Sequence, residues 1–158
     1  DTKESFFNLI NKMKKEFKIL SINISLKKGE QKKPTQKVFL KKDFGIVGDA
    51  HAGNWHRQIS MLANEDIETM RGKGIELKFG DFAENITTEN IDLCTLPLRT
   101  KLHLGNAVVE VTQIGKECHH GCEIFQKIGD CVMPRKGIFV IVLEEGEISN
   151  ESNCYYHI

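Results

Sequence analysis

The feature that most constrains the fold is a series of short apolar segments separated by turns that contain glycine. Gly105-Asn106 is a two-residue turn signal between two such segments, Lys101 to Leu104 and Ala107 to Ile114, so a β-hairpin is predicted there. Further strands are predicted at 20–26, 38–40, 85–88 and 138–143. Many short strands with few helices predict a mostly β fold, either a barrel or a folded-over sheet.

Helical periodicity begins at the first residue. Asp1 is placed to cap a helix with Glu4 at its third position. The apolar residues that then recur at helical spacing are Phe6, Leu9, Ile10, Met13 and Phe17. We expect this stripe to pack on the core, and we divide the chain into a helical extension, residues 1–18, and a β domain, residues 19–158.

Two further short helices and one charged loop are predicted. One helix begins at Asn64 and ends at Gly72 or Gly74, and the other covers 122–128 and ends at Gly129. The charged stretch from Lys27 to Lys37 suits a mobile hairpin tip or loop.

Length and composition favour one intracellular domain. The chain has 158 residues, 40% of them hydrophobic and 28% charged, which is close to the average of globular proteins. The sequence contains no apolar run of about 18 residues, the length that a membrane span needs. The lysine-rich start does not resemble a secretory signal. We therefore expect a cytoplasmic protein without a membrane partner.

The charge is unevenly distributed, although the formal net charge is zero. The first 42 residues carry 12 lysines against 4 acidic residues, so the remainder is acidic. Nucleic-acid binding would require basic residues interleaved with aromatic residues, or a known binding module, and the sequence shows neither. We expect a solvated basic surface and no nucleic-acid partner.

Three of the five cysteines lie within fourteen residues, and they allow two interpretations. Cys118, Cys122 and Cys131 could bind zinc together with a histidine, although paired Cys-x-x-Cys knuckles are missing. Alternatively, Cys122 is a reactive thiolate at the start of a helix, where free N–H groups and the helix dipole stabilise negative sulfur. Gly121 allows a sharp turn just before Cys122, so the second interpretation places the chemistry on this thiol.

A second polar cluster lies in the loop from Gly48 to Ser60. Among its side chains are His51, Arg57, Gln58 and Ser60, which can hold an anion or a planar heterocycle. For each of them a structural hydrogen bond is as good an explanation as a ligand contact. The three glycines 45, 48 and 53 favour a shaped loop of the kind that carries function.

Four separated motifs, found in one order, resemble the MOSC domain, named for the C-terminal region of molybdenum cofactor sulfurase. They are Gly45 to Gly53 with Arg57 to Ser60, Gly80 to Thr88, Leu104 to Ala107 with Thr112 to Lys116, and Cys122. The resemblance covers roughly Leu20 to Ile148 and leaves the N-terminal helix outside. It implies a MOSC-like β-barrel with a few short helices.

The resemblance also implies a molybdenum cofactor, a molybdopterin bound on the barrel. Cys122 matches the molybdenum ligand or sulfur carrier of the family, and a soft thiolate suits both roles. Arg57 and the segment Asn85-Ile86-Thr87 match positions that face the pterin and its phosphate. With His51, Gln58 and Ser60 they form the predicted cofactor site, and Arg135 either adds a second anion contact or lies on the surface.

The implied function is either reduction of N-hydroxylated compounds or transport of sulfur or cofactor on Cys122, without pyridoxal phosphate. Both roles need a partner protein, an electron donor or a sulfur donor, because no fused partner domain is present in the sequence. The alternative from another class is a non-enzymatic module that binds zinc or another metal through Cys118, Cys122 and Cys131. His119-His120-Gly121 replaces the proline that several relatives carry before the key cysteine, which leaves the identity of the metal open.

Overall fold

The structure is a computed structural model that describes residues 2–74, 76–116 and 133–158. The strands in these residues are β1 (Lys14–Ile24), β2 (Lys33–Thr35), β3 (Lys37–Lys41), β4 (Gly45–Ile46), β5 (Ile59–Ala63), β6 (Ile86–Glu89), β7 (Lys101–Leu104), β8 (Ala107–Ile114), β9 (Ile138–Glu144), β10 (Gly146–Ser149) and β11 (Cys154–His157). The helices are α1 (Thr2–Met13), α2 (Asn64–Arg71) and α3 (Met133–Lys136), with a 3-10 turn at Leu93–Thr95.

Seven of the described strands close into a barrel, which confirms the predicted mostly β fold. The order around the barrel is β1, β11, β7, β8, β9, β5 and β6, and β6 returns to β1. The strands β5 and β6 run parallel, whereas the other neighbours pair antiparallel. A separate sheet is formed by β10, β3 and β4. Closure matters because it leaves no unpaired barrel edge.

The core fills the barrel from every strand around it. Ile59 and Met61 on β5, Val109 on β8 and Val140 on β9 are fully buried. Each such aliphatic side chain contributes about 1.5–3 kcal/mol when it leaves water. The predicted hairpin is confirmed, since Leu104 pairs with Ala107 across the turn at Gly105-Asn106.

The N-terminal prediction was wrong in two respects. The helix ends at Met13, and the residues from Lys14 onward belong to β1 and pair with β11. Phe17, predicted on the helical stripe, is a buried strand residue, whereas Phe6 and Phe7 are 64% and 62% exposed. Strand pairing outweighs the local helical period here because it closes the barrel and buries Phe17.

The hairpin tip or loop predicted from Lys27 to Lys37 is confirmed in part, because a hairpin is present but its second strand begins at Lys33. Lys33–Thr35 forms β2 and pairs with Ile22–Ile24 of β1. Lys32 just before it is only 2% exposed. The described residues contain no helix that is long and apolar enough to cross a membrane.

Candidate anion-binding cavity

A cavity of about 380 Å³ opens beside the polar loop that follows β4. The described residues that line it are Lys28, His51, Trp55, Arg57, Ser60, Ala83, Asn85, Lys116 and Phe139. The polar loop supplies His51, Trp55 and Arg57, and the beginning of β5 supplies Ser60. The two motif segments around residues 48–60 and 80–85, far apart in the sequence, therefore meet at one cavity.

The described lining is strongly basic. It includes Lys28, Arg57, Lys116 and the imidazole of His51, and it includes no carboxylate. Cations grouped around a concave surface focus a positive potential and raise the local concentration of anions. The cavity is therefore suited to an anionic ligand of small-molecule size.

The guanidinium of Arg57 lies over two aromatic rings beside the cavity. Its guanidinium carbon lies 4.7 Å from the ring centre of Trp55 and 5.5 Å from that of Phe139. Its Nε is buried and has no hydrogen-bond partner among the described residues. A buried donor without a partner costs about 1–3 kcal/mol, so an acceptor of a ligand would relieve a cost already present in the fold.

Ser60 and Asn85 join the two walls of the cavity. The Ser60 amide donates to Asn85 Oδ1 over 3.0 Å, and the Asn85 amide donates to Ser60 Oγ over 2.9 Å. Asn85 Nδ2 donates to the carbonyl of Asn23 on β1 over 3.1 Å. These reciprocal bonds satisfy backbone groups where β5 and β6 begin, and they fix both side chains at the cavity.

The loop before Asn85 is shaped by a buried carboxylate. Glu84 accepts hydrogen bonds from the amide of Gly80 at 3.0 Å, the amide of Phe82 at 3.2 Å and the hydroxyl of Thr87 at 2.8 Å. Burial raises the pKa of Glu84, and these three donors act against that shift. Ala83 lines the cavity and takes a left-handed backbone conformation, with φ at 61°. This conformation is costly for a residue other than glycine.

Gly80 brings this loop into contact with the segment before β2. The amide of Lys32 donates to the Gly80 carbonyl over 3.0 Å. Gly80 has φ at +93°, and a Cβ at this position would lie 2.0 Å from the carbonyl oxygen of Lys32. Only glycine fits both the left-handed backbone and this close approach.

Lys32 and Asp49 form a buried ion pair behind the cavity, and this pair contacts His51 in the cavity lining. Lys32 Nζ lies 2.7 Å from Asp49 Oδ1, 3.1 Å from Ser25 Oγ and 3.0 Å from His51 Nδ1. The side chains of Lys32 and Asp49 are fully buried. Asp49 also accepts the backbone amides of Ser25 at 3.1 Å and His51 at 3.1 Å, which holds the loop against β1.

The charges in this cluster move two pKa values. Burial raises the pKa of Asp49, but the hydrogen bond and charge of Lys32 and the amide of Ser25 outweigh it, so the net pKa is lowered. Burial and then the charge of Lys32 lower the pKa of His51, and Lys116 and Lys28 add to this shift. His51 is therefore neutral near pH 7 and presents an uncharged ring to the cavity.

Four predicted site residues meet at the cavity, namely His51, Arg57, Ser60 and Asn85. Three others do not line it. Gln58 is fully buried, donating to Asp43 Oδ1 at 3.1 Å and accepting the Val142 amide at 2.9 Å. Ile86 is a core residue of β6, and Thr87 bonds to Glu84 and Asn23. These three residues have structural roles in the described fold.

Arg135 lies on α3 and is not among the described residues that line the cavity. Burial raises the pKa of Asp66 on α2, and the charge of Arg135 acts against that rise. A second hollow there is lined by Glu65, Asp66, Asp92 and Lys136, among other residues, and we call it the acidic groove. The predicted contact of Arg135 with a cofactor stays a prediction.

Several lining residues were not singled out from the sequence. Trp55 and Lys116 fall inside the quoted motifs or between them, so their position was a usable signal. Nothing in the sequence marked Lys28 and Phe139 as site residues, because they come from a lysine-rich segment and from a core strand. Lys32 was missed entirely, since its partners are 17 and 19 residues away.

The predicted cysteine chemistry falls outside the described residues. Cys118, Cys122, Cys131 and the predicted helix at 122–128 all lie between 117 and 132. Of the described cysteines, Cys154 is buried, and burial raises the pKa of its thiol to about 12. Within the described residues, no three His, Cys, Asp or Glu side chains are grouped to hold a metal ion.

The fold and the cavity define a class, namely small closed β-barrels with a basic cavity where β5 and β6 begin. The particular family follows from the sequence: the model of the MOSC domain matches residues 48–153, more than half of the chain. The chain belongs to the MOSC domain family. The matched range contains every described lining residue except Lys28.

Solved structures share the fold at low sequence identity. The YuaD protein from Bacillus subtilis superposes with a TM-score of 0.77 and 18% identity, over 91% of this chain and 97% of that chain. YiiM from Escherichia coli gives a TM-score of 0.65 and 15% identity, over 90% of this chain and 70% of that chain. YiiM from Geobacillus stearothermophilus gives a TM-score of 0.65 and 20% identity, over 90% of this chain and 75% of that chain. No curated protein sequence matches the chain.

Proposed function

We propose that this MOSC protein binds the molybdenum cofactor in the basic cavity, with Cys122 as the thiolate ligand of the metal. In this role it acts as a reductase of N-hydroxylated compounds or as a carrier of sulfur or cofactor. The observation that carries the proposal is the buried Nε of Arg57, which has no partner among the described residues, in a cavity whose described lining is basic. Family membership supports the kind of cofactor.

The described residues fit such a group in both charge and shape. Molybdopterin combines a phosphate with a flat heterocycle, and Arg57, Lys28 and Lys116 are the cations that would hold the phosphate. Trp55 and Phe139 provide flat apolar surface beside Arg57. His51, Ser60 and Asn85 are the polar groups that would orient the heterocycle.

When bound, the cofactor supplies two-electron oxygen-atom transfer or a site for sulfur. The chain contributes binding and orientation. Arg57 neutralises negative charge, the Ser60–Asn85 pair keeps the cavity wall rigid, and the neutral ring of His51 avoids adding a fourth cation. In the carrier role, Cys122 would hold a persulfide and the protein would have no turnover of its own.

Elemental analysis of protein purified under reducing conditions tests the proposal. We expect about one molybdenum per chain, lost in Cys122→Ser and retained in Cys94→Ser, since Cys94 does not line the cavity. Zinc that survives Cys122→Ser but is lost in Cys118→Ser and Cys131→Ser would establish the zinc-binding module instead.

The two roles separate in a second measurement on the molybdenum-loaded protein. Reduction of an amidoxime or a hydroxylamine by an artificial electron donor would establish the reductase. Absence of turnover, together with a persulfide adduct on Cys122 detected by mass spectrometry, would establish the carrier. The partner follows the role, an electron-donor protein in the first case and a sulfur donor in the second.

A further inference from the structure

Lys32, just before β2, is an unusual residue to find in the interior, because lysine is almost never fully buried without a partner. Its side chain has no exposed surface, and its ammonium lies within hydrogen-bond distance of three groups. An ammonium has three N–H donors and no acceptor. The three donors match three acceptors, Ser25 Oγ, Asp49 Oδ1 and His51 Nδ1.

This match of donors and acceptors determines which imidazole nitrogen of His51 carries the proton. The ion pair at 2.7 Å keeps Lys32 charged beside Asp49, so Lys32 can only donate. Ser25 is free to accept from it, since its own hydroxyl donates to the carbonyl of Lys27 at 3.2 Å. His51 Nδ1 must then carry the lone pair. In a neutral imidazole the proton consequently sits on Nε2.

We infer that Lys32 is a positioning residue that locks His51 in the Nε2–H tautomer, so that His51 acts as a hydrogen-bond donor to the ligand of the cavity. Asp49 supports this arrangement, because it accepts hydrogen bonds from the Lys32 ammonium at 2.7 Å and from the His51 amide at 3.1 Å. The indole of Trp55 adds a further restraint by donating to the His51 carbonyl at 2.8 Å. Backbone and ring are thus fixed independently.

The inference has a chemical consequence for what the cavity accepts. A locked donor selects a ligand with an acceptor atom, such as a phosphate oxygen or a ring carbonyl, and does not serve as a proton acceptor. The donor role toward the cofactor rests on the proposed function. The tautomer itself does not, because its origin lies in residues of the chain alone.

Nitrogen-15 NMR of the imidazole rings in the cofactor-free protein tests the tautomer. The resonances of His51 are identified by their absence in His51→Gln. We expect an unprotonated Nδ1 and a protonated Nε2 in the wild type. A protonated Nδ1 would overturn the inference whether or not the protein binds molybdenum.

The role of Lys32 is tested in Lys32→Met/Asp49→Asn, which removes both buried charges together and so avoids leaving one unpaired. We expect the His51 signals of this variant to shift toward a mixture of tautomers. Unchanged signals would show that Lys32 does not set the proton. Lys101→Met serves as the matched control, since Lys101 is exposed and does not line the cavity.

Binding of inorganic phosphate tests the donor role separately. His51→Gln keeps an N–H donor, whereas His51→Leu keeps only bulk. We expect His51→Leu to bind phosphate about tenfold more weakly than the wild type, and His51→Gln to stay within a few-fold of it. Equal affinities in all three proteins would overturn the donor role and leave the measured tautomer standing.

Discussion

Two aspartates in two regions outside the barrel strands, one in the loop after β4 and one on α2, experience opposite electrostatic effects. Behind the cavity, Asp49 has a lowered pKa, because the contact with Lys32 outweighs the effect of burial. At the acidic groove, burial raises the pKa of Asp66, and the nearby carboxylates of Asp92 and Glu65 raise it further against the charges of Lys136 and Arg135. Burial acts in the same direction on both carboxylates.

The difference comes from contact. Lys32 touches Asp49 at 2.7 Å with both side chains inaccessible, whereas no hydrogen bond to the Asp66 side chain is formed among the described residues. A charge removed from water keeps its ionised form only where a partner replaces the water. The cavity is therefore backed by buried polar groups that contact one another, whereas the acidic groove is a partly solvated surface. Three experiments probe this contrast.

The largest expected effect is on stability. Lys32→Met leaves Asp49 buried without its partner, and we expect the free energy of unfolding to fall by about 3–5 kcal/mol in denaturant titration. Glu68→Gln on α2 is the control, because it breaks the exposed pair with Arg71 and should cost about 0–1 kcal/mol. If both variants lost the same free energy of unfolding, the buried pair would stabilise the fold no more than the exposed pair does. The double variant Lys32→Met/Asp49→Asn should recover part of the loss.

An intermediate effect is expected on anion binding. Arg57→Met should weaken binding of inorganic phosphate about tenfold or more, because it removes a charge-assisted donor from the cavity. Arg135→Met, near the acidic groove, is the matched arginine control and should leave the affinity unchanged. Calorimetric titration measures both. A loss confined to Arg135→Met would move the anion site to the other region and support the predicted role of Arg135.

The smallest effect is on the pH dependence of stability. The folded pKa of Asp49 lies below its ordinary value of 3.8, so its stabilisation is present above that pH and is lost as the pH falls through the folded pKa. Asp66 has a folded pKa above 3.8, so its contribution is most favourable below that pH and declines as the pH rises through the folded pKa.

Unfolding titrations of Lys32→Met/Asp49→Asn and Asp66→Asn at several acidic pH values measure these two contributions. Relative to the wild type, the double variant should lose less stability on acidification. Asp66→Asn should lose less stability as the pH rises from below 3.8. If both variants changed the pH dependence of the free energy of unfolding in the same direction, the two regions would not differ.

Local patterns were sufficient for much of the fold. The turn at Gly105-Asn106 predicted its hairpin, and Asn64 marked the first residue of α2. The motif order led to the barrel and to four cavity residues. Wherever turn chemistry or strand alternation acts over a few neighbours, sequence and structure agree.

Long-range pairing could not be predicted in this way. The strand β11, which closes the barrel on β1, and the parallel pairing of β5 with β6 depend on contacts between distant segments. Lys32 shows the same limit at one residue, because a lysine in a charged stretch is normally solvated. Gln58 and Thr87 are polar residues in the quoted motifs, yet the Val142 amide and the Glu84 carboxylate that bond to them are buried groups that the sequence does not identify.

Gly80 has a consequence for how this protein can diverge. It has no side chain and does not line the cavity, yet any added Cβ would meet the carbonyl oxygen of Lys32 at 2.0 Å. Relief of that clash would push the Lys32 backbone away and carry its ammonium off His51. If the proposed donor role of His51 holds, a position outside the cavity lining is thereby placed under the same selection as the lining residues, and a substitution at Gly80 would change which ligands bind.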